Sequence, residues 1–154
     1  MKILILLLLI HSSLSASTII GIVTRVADGD TITVTVNDKT KHRVRLAEID
    51  APELTGQVYG KASRAYLITL IHNKQVLVEY SKKDRYGRLI GTVKAQTVNI
   101  NEAMIKAGLA WHYKYYSKSK SLGELEKKAQ KNKLGLWKQI NPVAPWIFRR
   151  SKKL

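Results

Sequence analysis

Val26-Ala27-Asp28-Gly29-Asp30-Thr31-Ile32-Thr33-Val34-Thr35-Val36-Asn37-Asp38-Lys39 is the stretch on which the fold turns. Thr31 to Val36 alternates β-branched apolar and hydroxyl residues at period two, the pattern of a half-buried strand. Asp28-Gly29-Asp30 before it and Asn37-Asp38-Lys39 after it carry turn chemistry. Upstream, Thr18 to Val26 is short and β-branched, which predicts a partner strand. Downstream, His42-Arg43-Val44-Arg45-Leu46-Ala47-Glu48-Ile49 alternates again, placing Val44, Leu46 and Glu48 on one face, until Pro52 ends it. Three strands joined by tight turns make a meander.

The rest of the chain adds two strands and three helices. Tyr59 to His72 shows helical spacing, with Ala62, Ala65, Tyr66, Thr69 and Leu70 read as the inner stripe. Gln75 to Tyr80 and Leu89 to Val93 read as strands, separated by the turn Asp84-Arg85-Tyr86-Gly87. Asn99 with Glu102 three residues on reads as a capping box, opening a helix that stops at Gly108. Ser121 to Leu134 is amphipathic and ends at Gly135. The order predicts an α+β protein: a five-stranded, closed or partly closed barrel of OB type with about three appended helices. Residues 141–154 read as a basic tail in which Pro145-Trp146 docks and Arg149, Arg150 and the lysines beyond are solvated.

Residues 1–16 have a different character. Lys2 precedes an unbroken apolar run from Ile3 to Ile10, and small and polar residues follow as far as Ala16. That is the layout of a secretory signal peptide, and the run is short of the roughly 20 residues a membrane span needs. The expectation is an exported protein, secreted or periplasmic, with no stable membrane insertion after cleavage and a folded domain over 17–140.

Charge narrows the function. Among 154 residues, 27 are Lys or Arg and 11 are Asp or Glu, a formal net charge of +16. The partner should be a polyanion, nucleic acid first and an anionic membrane surface second. There is no cysteine, which excludes disulfide scaffolds, thiolate-bound zinc and thiol nucleophiles. The acids are unevenly placed: Asp28, Asp30, Asp38, Glu48, Asp50 and Glu53 are six of the 11. In so basic a chain, acids gathered at neighbouring strand ends suit a hard divalent cation, which takes oxygen ligands. The histidines have no metal spacing. Gly56 to Lys61 falls one residue short of a phosphate loop, and there is no Gly-x-Ser-x-Gly elbow. Trp111, Tyr113, Tyr115 and Tyr116 interleave with Lys114 and Lys118, which suits single-strand binding.

Three segments carry a resemblance. Val26 to Thr31, Val44 to Glu53, and Asp84-Arg85-Tyr86-Gly87-Arg88 resemble, in order, the three signatures of the staphylococcal nuclease (thermonuclease) family. Val98 to Ala110 and Gly135-Leu136-Trp137 are similar to its later segments. The resemblance implies an OB-fold, Ca²⁺-dependent phosphodiesterase acting on DNA and RNA, single-stranded or frayed by preference, as a monomer, and leaving 3′-phosphate ends. It implies that Asp30, Asp50 and the Ala51 carbonyl hold the metal, and that Glu53 positions or deprotonates the attacking water. It implies that Arg45 and Arg88 stabilise charge at the phosphate, as a planar fork that stays ionised can. Arg85 and Tyr86 match terminal-phosphate contacts, and Tyr113 with Tyr115 or Tyr116 matches the base pocket. Arg43, on the same strand face as Arg45, is expected to be merely exposed. Two other functions compete: a silent OB module that only binds nucleic acid, and a cationic surface-binding protein. Neither needs the set Asp30, Arg45, Asp50, Glu53, Arg88.

Overall fold

The computed structural model describes residues 17–152; the signal-peptide reading of residues 1–16 lies outside them. Strands β1 (Ser17–Val26), β2 (Thr31–Val36) and β3 (Thr40–Leu46) form the expected antiparallel meander. The two-residue strand β4 (Ile49–Asp50) follows, then helix α1 (Gly60–Ile71). Strands β5 (Gln75–Lys83) and β6 (Leu89–Ala95) complete the wall. The order is β3-β2-β1-β5-β6, and β3 pairs with β6 in parallel, Val44 opposite Leu89 and Leu46 opposite Gly91. That pairing closes a five-stranded mixed barrel and removes its open edges. Register shifts between Val23 and Arg25 and between Tyr80 and Lys82 mark bulges that help the sheet curl.

The short strand β7 (Val98–Asn99) runs into helix α2 (Ile100–Lys106), and β8 (Trp111–His112) pairs antiparallel with β4. Helix α3 (Lys120–Lys131), a 3₁₀ turn (Gly135–Lys138) and helix α4 (Pro145–Ser151) follow. Asn99 caps α2 by accepting from the Glu102 N–H, as the box predicts, and Gly108 at φ 65° ends the turn beyond it. The core gathers the inward residues of the alternating strands, among them Val23, Ile32, Val34, Val44, Leu46, Val78 and Val93. Leu67 and Ile71 come from α1 and Met104 and Ile105 from α2.

Three expectations need correction. The buried face of α1 is Gly60, Ser63, Leu67 and Ile71, while Ala62, Ala65 and Thr69 are exposed. The bulk of Leu67 and Ile71 sets the face, and small Gly60 and Ser63 let the helix approach. Glu48 does not continue β3: it has φ 64° and its side chain leaves the strand face. In the tail Trp146 docks and Arg150 and Lys152 are exposed, but Arg149 is not left to solvent: it pairs with Asp50 and Glu53.

Candidate active site

Asp30 stands where the β1–β2 turn delivers the chain into β2. Asp28 Oδ1 accepts from the Asp30 N–H at 3.0 Å, an Asx turn that fixes the entry to the strand. Gly29 is required for space and not for a positive φ, since a Cβ there would collide with Ser63 of α1. The turn is thereby pressed onto α1, and Asp30 is buried. Its Oδ2 accepts from the Ala51 N–H at 2.7 Å and its Oδ1 from the Thr31 hydroxyl at 3.1 Å.

Arg45 lies on β3 opposite Thr31. Its Nε donates to Asp30 at 3.1 Å and its Nη2 to Asp50 at 2.8 Å, so one guanidinium bridges the two carboxylates. Its Nη1 donates to the Leu46 and Ile49 carbonyls at 2.8 and 2.9 Å. The neighbouring Arg43 is exposed, as expected. Asp50 is buried on β4, and Asp50 pairs with Trp111 across the β4–β8 ladder. Glu53 follows three residues on and is half-buried. Its N–H donates to Gln57 Oε1 at 2.8 Å, and the close approach of Gly60, where a Cβ would strike the Glu53 carbonyl, holds its loop.

The structure therefore brings Asp30, Arg45, Asp50, Ala51 and Glu53 together. Arg88 is placed separately, at the mouth of β6: its Nε donates to Asp84 Oδ2 at 2.7 Å, four residues back in its own turn. Burial opposes ionisation of Asp84, but hydrogen bonds from Arg88 and from the Arg88 and Tyr86 amides prevail and hold its carboxyl below the usual value. Arg85 and Arg88 lie over the exposed Tyr86 ring, at 5.0 and 5.5 Å from its centroid. Tyr113 is half-buried beside Asp50, whereas Tyr115 and Tyr116 are exposed and pack edge to face. Burial, then the charges of Asp50 and Tyr116, raise the Tyr113 phenol.

One residue of the site, Arg149, escapes sequence reasoning, and Trp146, expected to dock, shows where it does so. Arg149 of α4 donates from Nη1 to Glu53 Oε1 at 2.7 Å and from Nη2 to Asp50 Oδ2 at 2.9 Å. Burial opposes its charge, but these bonds outweigh it and raise its pKa. Trp146 stacks on Tyr113, with centroids 5.1 Å apart and planes 3° from parallel. The available signal was Pro145 at a helix start with Trp146 and Arg149 three apart, one face of a single turn.

The donor chemistry fits a hard cation. Among the described residues no three acidic, histidine or cysteine side chains close on one point. Two carboxylates joined by Arg45, plus backbone carbonyl and water, is a set that Ca²⁺ accepts. Asp30 gives the sharper indication: burial pushes its pKa up to about 7, with Arg45 acting against the rise and Asp28 and Asp50 adding to it. A cation beside this buried carboxyl would favour its ionised form.

A closed barrel with carboxylates and arginines at one mouth, in a strongly basic chain, defines an enzyme of the OB-barrel type acting on a polyanion. The comparisons carry this further. The model of the staphylococcal nuclease homologue family matches residues 43–139. A micrococcal nuclease of Shigella flexneri is 44% identical over 144 residues, covering 86% of this chain and 82% of that protein. An uncharacterized endonuclease of Haemophilus influenzae is 40% identical over 132 residues, covering 86% of this chain and 74% of its own. Protein ParB of Escherichia coli is 40% identical over 141 residues, with coverage of 84% and 78%. The chain belongs to the staphylococcal nuclease-like family, and it is a nuclease.

Proposed function

We propose that this nuclease is an exported, Ca²⁺-dependent endonuclease that hydrolyses DNA and RNA with low sequence specificity, prefers single-stranded or frayed substrate, acts as a monomer and leaves 3′-phosphate ends. The observation that carries the reading is the convergence of Asp30 and Asp50 on one guanidinium with Glu53 beside them. Asp30, Asp50 and the Ala51 carbonyl would hold Ca²⁺, which supplies a Lewis acid for a phosphate oxygen. Glu53 orients the attacking water and receives its proton. Arg45, at the carboxylates, and Arg88, held by Asp84, donate to phosphate oxygens as charge grows on them. Arg88 assists the leaving oxygen by charge and not by proton donation, because a guanidinium does not deprotonate at working pH. Export rests on the character of residues 1–16.

The test is hydrolysis of single-stranded DNA and of RNA by the mature protein, first with Ca²⁺ and then with a chelator, with end-group analysis of the products. Ca²⁺-dependent cleavage and 3′-phosphate ends are expected. Equal rates in excess chelator would overturn the metal assignment, and 5′-phosphate ends would overturn the assignment of the leaving oxygen.

A further inference from the structure

Helix α4 occupies the groups that a reaction would need. Arg149 Nη2 and Nη1 meet Asp50 Oδ2 at 2.9 Å and Oδ1 at 3.3 Å, and Arg45 already sits on Oδ1. Both oxygens of a carboxylate assigned to metal are therefore engaged by guanidinium groups. The same Arg149 takes Glu53 Oε1 in a short charge-assisted bond, which occupies that oxygen and holds it away from a water. The Trp146 ring covers Tyr113, and a base cannot enter between rings whose centroids are 5.1 Å apart.

The docking is specific. Gln57 accepts from the Glu53 N–H and donates to the Val143 carbonyl at 2.8 Å, tying the Glu53 loop to the segment leading into α4. Trp146 also meets Trp111 edge to face at 5.7 Å. Yet the helix is not sealed into the core. A cleft of about 160 Å³ remains beside it, lined in part by Pro52, Val58, Trp111, Val143 and Phe148. Arg149 is 41% exposed, and Ile147 and Val143 face solvent. A seven-residue helix held by an ion-pair cluster, the Trp146 ring contacts and buried Pro145 can leave as a unit.

We propose that α4 is an intramolecular plug, with Arg149 covering the metal and water-activating carboxylates and Trp146 covering the Tyr113 face, and that divalent cation and single-stranded nucleic acid displace it. The proposal rests on the site reading given under the proposed function. Competition follows from geometry: cation and guanidinium claim the same Asp50 oxygens, so docking lowers apparent cation affinity by the fraction of molecules left open.

The experiment is calorimetric titration of the wild type and Arg149→Gln with Ca²⁺, accompanied by NMR of the Trp146 indole N–H, identified through Trp146→Phe. At least about fivefold tighter Ca²⁺ binding by Arg149→Gln is expected. The wild-type indole resonance should move as Ca²⁺ is added. Affinity within twofold of wild type, or weaker, would overturn the plug, as would an indole resonance indifferent to Ca²⁺ in a protein that binds it. If neither form bound Ca²⁺, the metal assignment would fail, and the plug would be judged on single-stranded oligonucleotide binding in chelator. Tighter binding by Trp146→Ala would support it there; unchanged or weaker binding would make Trp146 a substrate contact and refute it.

Discussion

Arg45→Ala should be a stability variant as much as a catalytic one, and its cost should depend on pH. The side chain is 14% exposed and bridges two buried carboxylates. Removing one partner of a buried pair costs about 3–5 kcal/mol. Two carbonyls, those of Leu46 and Ile49, also lose a donor. Arg149 remains on Asp50 and limits the damage there, so about 4 kcal/mol at alkaline pH is a fair expectation. At about 2–4 °C per kcal/mol, Tm falls by roughly 10–15 °C. The sign of the pH dependence follows from Asp30, whose pKa is raised to about 7 by burial while Arg45 acts to lower it. Without Arg45 the folded value rises further. Between the unfolded value of about 3.9 and the folded one, the native state holds the extra proton, so stability falls as pH rises through that window. The variant's window reaches higher, so its deficit should be smaller at pH 5, where the loss of the carbonyl donors remains, and full at pH 8. Thermal unfolding by circular dichroism in chelator from pH 5 to 8 measures this. A Tm loss that is the same at both ends, or below about 2 °C throughout, would refute the idea that Arg45 compensates buried charge.

Arg88→Lys keeps the charge and loses the fork. It should cost about 10²-fold in kcat with little change in Tm, as steady-state kinetics and melting would show, and wild-type kcat would exclude a two-point phosphate contact. Glu126 is 2% exposed, accepts from the His112 N–H at 2.9 Å and pairs with Lys114. Glu126→Ala should therefore cost about 3 kcal/mol and Glu126→Gln, which keeps the acceptor, about 1 kcal/mol by denaturant unfolding. Substrate affinity should fall with salt at a log–log slope of about −0.7 per phosphate contacted on single strands, measured by fluorescence anisotropy with a short oligonucleotide. A flat response would exclude phosphate contacts by the basic side chains.

How legible the protein was follows contact range. The barrel showed because Thr31 to Val36 and His42 to Leu46 record their two faces residue by residue, and turn residues mark where they end. Asp30, Arg45, Asp50 and Glu53 showed because they sit on or just beyond those strands. The face of α1 did not, because glycine and serine carry no apolar signal, yet Gly60 and Ser63 form the contact by being small. Glu48 misled for a local reason: alternation continues through it, but the backbone turns left-handed there. Its carboxylate accepts from Ser117 Oγ at 2.7 Å and its carbonyl from the Tyr113 N–H at 2.8 Å. Arg149 lay furthest out of reach, joining partners 96 and 99 residues away in a helix too short for periodicity to register.

The arrangement also explains how so basic a chain keeps three acids together. With α4 docked, two guanidiniums, Arg45 and Arg149, stand against Asp30, Asp50 and Glu53. The three carboxylates share these two guanidiniums, one positive charge short of balance, and burial raises the pKa of Asp30 to about 7 against the pull of Arg45. On the proposed plug, exchanging the single charge of Arg149 for a divalent ion would balance the set, and the imbalance that the docked state tolerates would favour the exchange. The released guanidinium is not lost to the reaction. It joins Arg150 and Lys152, both exposed on the same short segment, in attracting phosphates as the cleft opens. On this reading the acids bind the cation, the cation frees the tail, and the tail adds positive charge beside the cleft.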